Sequence, residues 1–137
     1  MEDEKKELSP QEKAVKQIEE WADWLEINKF TDDFKEAIDT LLVPVMNERL
    51  AFNEESESFK LKLIRPIEME NKKVELVDVH EVVISELKGV QKYKDSEKID
   101  AAELVLAKSC GISLAEASKL GKRDIAVLNC LNQVFFG

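Results

Sequence analysis

The sequence predicts an α+β fold, mainly α, in which an N-terminal helical hairpin precedes a β-hairpin packed with a small C-terminal helical bundle. Three observations predict it. Apolar residues recur at three- and four-residue steps before residue 50, the spacing of an amphipathic helix. A period-two pattern begins at Phe59, the spacing of a half-buried strand. Helix-start signals return after residue 84, and only 4 Gly and 3 Pro interrupt the 137 residues.

The first helix is expected to open at Ser9-Pro10-Gln11-Glu12, where serine caps, proline takes the first turn and glutamate closes a capping box. Ala14, Val15, Ile18, Trp21, Ala22 and Leu25 form its apolar stripe, which predicts an end near Asn28. Thr31 caps a second helix with Asp32 and Asp33 at the positive end of its dipole. Pro44 is expected to kink that helix or stop it near Leu42 or Val43, because proline lacks the backbone donor.

Residues 53–58 are polar and are taken as the boundary between an acidic helical extension, 1–56, and a second unit, 57–137. Phe59 to Leu63 alternates as a strand whose continuation Pro66 limits. Glu70 to Lys73 supplies a turn, and Val74 to Ile84 the return strand. The apolar phase there moves from Val74 and Leu76 to Val77 and Val79, which implies a bulge or a strand buried on both faces. A short helix is expected from Ser85 to Gln91. Lys98 to Cys110 follows as a stronger helix, stopped by Gly111. Ser113-Leu114-Ala115-Glu116 opens another through a second capping box, and Ile125 to Phe136 is apolar nearly all round, as in a buried helix or one that docks on a partner.

Charge divides the chain. Residues 1–56 carry 16 acidic and 7 basic side chains, whereas 57–137 carry 13 of each, so the whole net charge of −9 lies in the first part. An acidic surface repels phosphates, which argues against nucleic acid as a partner. No apolar run approaches the roughly 20 residues that span a bilayer, and the acidic start is unlike a signal peptide, so no membrane partner and a cytoplasmic location are expected. Cys110 and Cys130 read as apolar core thiols rather than a disulfide. One histidine, His80, gives no metal-ligand cluster. The sequence holds no nucleophile elbow, phosphate loop, dinucleotide fingerprint or zinc-protease motif, and His80-Glu81 reads as structural. The expectation is a protein that is not an enzyme and has no catalytic residue, metal or cofactor.

Phe59-Lys60-Leu61 to Pro66-Ile67, then Val74-Glu75-Leu76 to His80-Glu81, resembles the opening of the tail assembly chaperones of Mu-like and related contractile-tailed bacteriophages. Val83 to Leu87, Cys110-Gly111-Ile112-Ser113, Lys122-Arg123-Asp124 and Phe135-Phe136-Gly137 are similar to later segments of that family and stand in the same order. The resemblance covers about 80 residues and leaves out residues 1–56. It implies a phage or prophage protein that binds the tape measure protein before the tube polymerises around it and helps recruit tail tube subunits. It also implies a longer product of the same gene made by ribosomal frameshifting.

Leu128, Leu131, Val134, Phe135 and Phe136 are the candidate contact residues of the C-terminal helix, with closure of the core as the competing reading. Trp21 reads as core. Trp24, three residues on, is the candidate anchor in a homo-oligomer or against a partner. Two other readings compete with the chaperone. Ser113 to Leu120 and Lys122 to Gln133 fit a small helix-turn-helix DNA-binding regulator, although the second helix turns apolar after Arg123. A self-assembling structural component of the tail is the third.

Overall fold

The computed structural model describes residues 8–83 and 98–136. The fold is α+β. Two helices, α1 (Pro10–Trp24) and α2 (Asp32–Met46), lead into an antiparallel sheet of β1 (Leu50–Asn53), β2 (Ser58–Met69) and β3 (Lys72–Val79). Helices α3 (Lys98–Cys110), α4 (Leu114–Ala117) and α5 (Lys122–Cys130) follow, and α5 runs on into a π-helical turn, Leu131–Phe135. The return strand ends at Val79, short of the expected Ile84, since His80 to Val83 are not strand; Ile84 itself and the helix expected over Ser85 to Gln91 lie outside the described residues.

Local chemistry starts the helices where the sequence places them. Ser9 and Glu12 close a capping box on α1, Ser113 and Glu116 close one on α4, and the Thr31 hydroxyl accepts the Phe34 N–H at 3.1 Å. The helix ends differ more from expectation. α1 stops at Trp24 rather than near Asn28, because Glu26 turns left-handed at φ 59° and lets the Ile27 N–H reach back to the Ala22 carbonyl at 2.7 Å. α2 passes through Pro44 to Met46 instead of stopping before it. The missing proline donor costs one bond near the helix end. The carbonyl left without that donor is that of Thr40; the Pro44 carbonyl separately accepts the Arg49 N–H at 2.8 Å, across Glu48, which is also left-handed at φ 59°. Gly111, at φ 65°, ends α3 in the same way at no steric cost.

The sheet has a strand that the sequence reading missed. β1 pairs with β2 through Leu50↔Leu61 and Phe52↔Phe59, so residues 54–57, within the expected boundary, form a hairpin turn. Asn53 holds that turn, its Oδ1 accepting the N–H groups of Glu55 and Ser56 at 2.9 and 3.2 Å. Between β2 and β3 the register breaks at Pro66, where Leu63 to Pro66 stand opposite Glu75 alone. The irregularity lies on β2, and it explains the change of apolar phase along β3. Val74 is paired with Ile67 beyond the break, whereas Val77 and Val79 face Leu61 and Phe59 before it.

One hydrophobic cluster unites these elements, with Ile18, Trp21, Phe34, Leu41, Phe59, Leu61, Leu128 and Leu131 among its members. Full burial of a side chain such as Phe59 contributes about 2–3 kcal/mol. The cluster draws on residues on both sides of the charge break at 56/57. Ser109 ties the far end together: its carbonyl accepts the His80 N–H at 2.8 Å, and its hydroxyl accepts the Asn132 amide at 3.1 Å while donating to the Leu106 carbonyl.

Candidate partner-binding surface

The stripe of α1 sends Trp21 inward, where it meets Phe59 edge-on with ring centroids 5.3 Å apart. Trp24 lies three residues on, about 60° away from that stripe around a helix, and remains 42% exposed. It does not stand alone. Its ring packs on Phe52 of β1 at 5.2 Å, Phe52 packs on Phe59 at 4.8 Å, and Phe59 touches Phe135 and Phe136 at 5.4 and 5.7 Å. A continuous aromatic chain therefore joins a surface tryptophan on α1 to the C-terminal phenylalanines.

The π turn sets the other end of this chain. The Phe136 N–H bonds to the Leu131 carbonyl, five residues back, at 3.1 Å, and Phe135 is buried between Phe34 and Phe59. Leu128, Leu131 and Phe135 are all buried and close the core, and Phe135 also lines a cleft. Val134 and Phe136 are partly buried against it. Phe136 lines a shallow cleft of about 340 Å³ together with Leu25, His80, Val83 and Phe135, and Glu57 and Glu81 also border it. Of the six contact candidates, Trp24 is exposed on α1 and Phe136 lines the cleft, the two joined through the buried ring of Phe59, and Val134 borders a separate cleft between α2 and α5.

Leu25 and Val83 line the Phe136 cleft and Phe52 packs beside Trp24, and none of the three is a contact candidate from the sequence. Phe52 carried no signal because its strand is only four residues long. Leu25 packs against the core as its place on the apolar stripe predicts, and at the C-cap of α1 it also lines the cleft.

No family model, curated protein or solved structure matches the chain. The surface therefore has to be interpreted from its own chemistry. It mixes apolar side chains with a polar lining that includes two carboxylates, and it is open, which suits a side-chain ridge of another protein better than a small molecule. Phe30, 86% exposed in the α1–α2 turn, and Val43 and Met46 on α2 add further apolar side chains to the outside of the helical hairpin. Among the described residues no helix is long and apolar enough to cross a membrane.

The two thiols behave differently from this surface. Burial pushes both Cys110 and Cys130 up to about 11, and the Ser109 hydroxyl offsets this slightly for Cys110. Both thiols are free.

Proposed function

We propose that the chain is a phage tail assembly chaperone that binds the tape measure protein and helps recruit tail tube subunits. The observation that carries this reading is the aromatic chain from Trp24 through Phe52 to Phe136, which leaves apolar surface open beside a cleft. The order of the motifs from Phe59 onward, similar to that family, supplies the identity of the client. A long amphipathic helix without its tube exposes an apolar stripe, and seating that stripe against Trp24 and in the Phe136 cleft removes it from water. The chaperone then works by covering the client until tube subunits take its place.

Co-expression with the tape measure protein tests this. The expected result is a soluble complex that contains several copies of the chain, and that is lost in Trp24→Ser and Phe136→Ser variants which still fold. A tape measure protein equally insoluble with and without the chain overturns the function, whereas a complex that survives both substitutions overturns only the surface. A frameshifted longer product is part of the same proposal, and mass spectrometry of the expressed gene detects it.

The DNA-binding alternative is less well supported. α4 has a single turn, and Asp124 near the start of α5 is buried, not presented outward. Salt-sensitive retardation of duplex DNA in a gel is the result that restores it. The self-assembling tail component is separated by whether the purified chain forms tubes and remains in finished particles.

A further inference from the structure

The acidic excess of this chain hides a basic cleft. Two adjoining hollows of about 510 and 340 Å³ share Arg65, which leaves β2 at the register break. Lys119 lines the first and Lys122 and Arg123 line the second, so four cations converge where β2, α4 and α5 meet. All four are exposed. Among the described residues none of their side chains has an ion-pair or hydrogen-bond partner, whereas Lys29, Lys60 and Lys72 each hold a carboxylate at 2.6–2.7 Å. Asp124 lines the second hollow too, but its charge is already engaged by Arg49 and by two backbone amides. Glu68 is the one other acid in the lining.

The opposite charge sits at the far end of the same helix. α2 packs against α5, and Asp33 and Glu36 border the cleft that ends at Gln133 and Val134. Asp32, Asp33, Glu36 and Asp39 are exposed along the first half of α2, with Lys35 alone among them, and none is ion-paired among the described residues. That cleft runs from Ala126 to Val134, so along the helix it begins four residues, roughly 6 Å, beyond Lys122 and ends twelve residues, roughly 18 Å, beyond it. At physiological ionic strength the screening length is about 8 Å, so Asp33 at the far end of the cleft is screened from Lys122, and among the described residues no ion pair joins the two charged sets within a copy.

We propose that the chain self-associates head to tail, the acidic first half of α2 in one copy seating in the Arg65, Lys119, Lys122 and Arg123 cleft of the next. A second copy is the occupant that the charges favour, because the chain itself carries an exposed carboxylate stripe matched in sign and present at equal concentration. The contact is heterologous: each copy uses a different face as donor and as acceptor, which generates a row or a ring. It needs no client and stands independently of the chaperone reading.

Sedimentation velocity of the purified chain tests it without a partner. Association is expected to weaken at least about tenfold when salt rises from roughly 0.05 to 0.5 M, as exposed charges are screened. Lys122→Glu/Arg123→Glu and Glu36→Lys/Asp39→Lys variants, each checked for native circular dichroism, are each expected to be monomeric. Mixed together they offer two matched contacts, the acidic α2 of the first variant with the basic cleft of the second and the reversed α2 of the second with the reversed cleft of the first, and so regain association that neither shows alone. A chain that stays monomeric at low salt, association indifferent to both reversals, or a mixture that fails to pair overturns the proposal. Salt-sensitive retention of duplex DNA by a monomeric chain, lost in the Lys122→Glu/Arg123→Glu variant, overturns it in favour of a nucleic-acid site.

Discussion

Arg49 and Asp124, 75 residues apart in the chain, meet across the break in β2 with Nη2 and Oδ1 separated by 3.3 Å. The Asp124 carboxylate also accepts the N–H groups of Ile64 and Arg65 at 3.0 and 3.1 Å, the donors that the bulge opposite Glu75 takes out of the ladder. Arg49 grips the same strand a second time, its Nε donating to the Lys62 carbonyl at 3.1 Å. A start-of-helix carboxylate thus acts as the missing strand for two amides, and docks α5 on the sheet.

Asp124→Ala is expected to destabilise the fold by about 3 kcal/mol or more, because it strands two amides and a guanidinium that is mostly removed from water. Asp124→Asn, which keeps one acceptor oxygen, should fall between. Urea denaturation followed by circular dichroism measures both. A double-mutant cycle with Arg49→Ala should show coupling above about 0.5 kcal/mol, and an additive result would remove the pair from the account.

Glu26 and Glu48 both hold left-handed backbone at φ 59° to end α1 and α2. A side chain there costs roughly 1 kcal/mol that glycine avoids. Glu26→Gly and Glu48→Gly should therefore each raise stability, the reverse of a glycine placed inside a helix. Gly111→Ala, at φ 65°, should lower it by a similar amount; thermal melts of the three variants decide.

Glu116 accepts Lys72 Nζ at 2.7 Å and the Ser113 N–H at 2.9 Å, and these bonds, the lysine first, hold its carboxyl below the usual 4.5. A lowered folded value means that the proton binds the unfolded chain more tightly. The stability is present above pH 4.5 and is lost as pH falls through the lower folded value. Glu116→Gln should therefore be less stable than the parent at neutral pH, and the gap should close on acidification. A gap independent of pH would assign the effect to the cap alone.

Cys110 and Cys130 should resist thiol reagents at pH 8 in the native state, since burial moves thiolate formation to about pH 11. Cys130, only half-buried, should react ahead of Cys110. Both should react at once in urea. Fast native labelling of either would place it on an open surface.

The features legible in the sequence are those set by neighbours in the chain. Ser9, Thr31 and Ser113 start their helices by bonds to residues three positions on, and Gly111 stops α3 through its own backbone. Features set by distant partners were not legible. β1 has four residues and becomes a strand because β2 offers it Leu61 and Phe59. Glu26 and Glu48 end helices without the glycine that marks such ends. The role of Asp124 needs Ile64 and Arg65 to arrive beside it. On a C-terminal helix that is apolar all round, spacing cannot separate Leu128 and Phe135, which turn inward, from Phe136, which lines a cleft.

Electrostatics and packing divide this molecule along different lines. The change from acidic to neutral sequence falls within the turn that Asn53 closes, so that a cut at residue 56 or 57 would not release two modules. It would part Phe52 from Phe59 and take from the aromatic chain both of its tryptophans. A sequence can change its charge character within a hairpin loop because solvent reads charge residue by residue, whereas a core is shared among all the segments that build it.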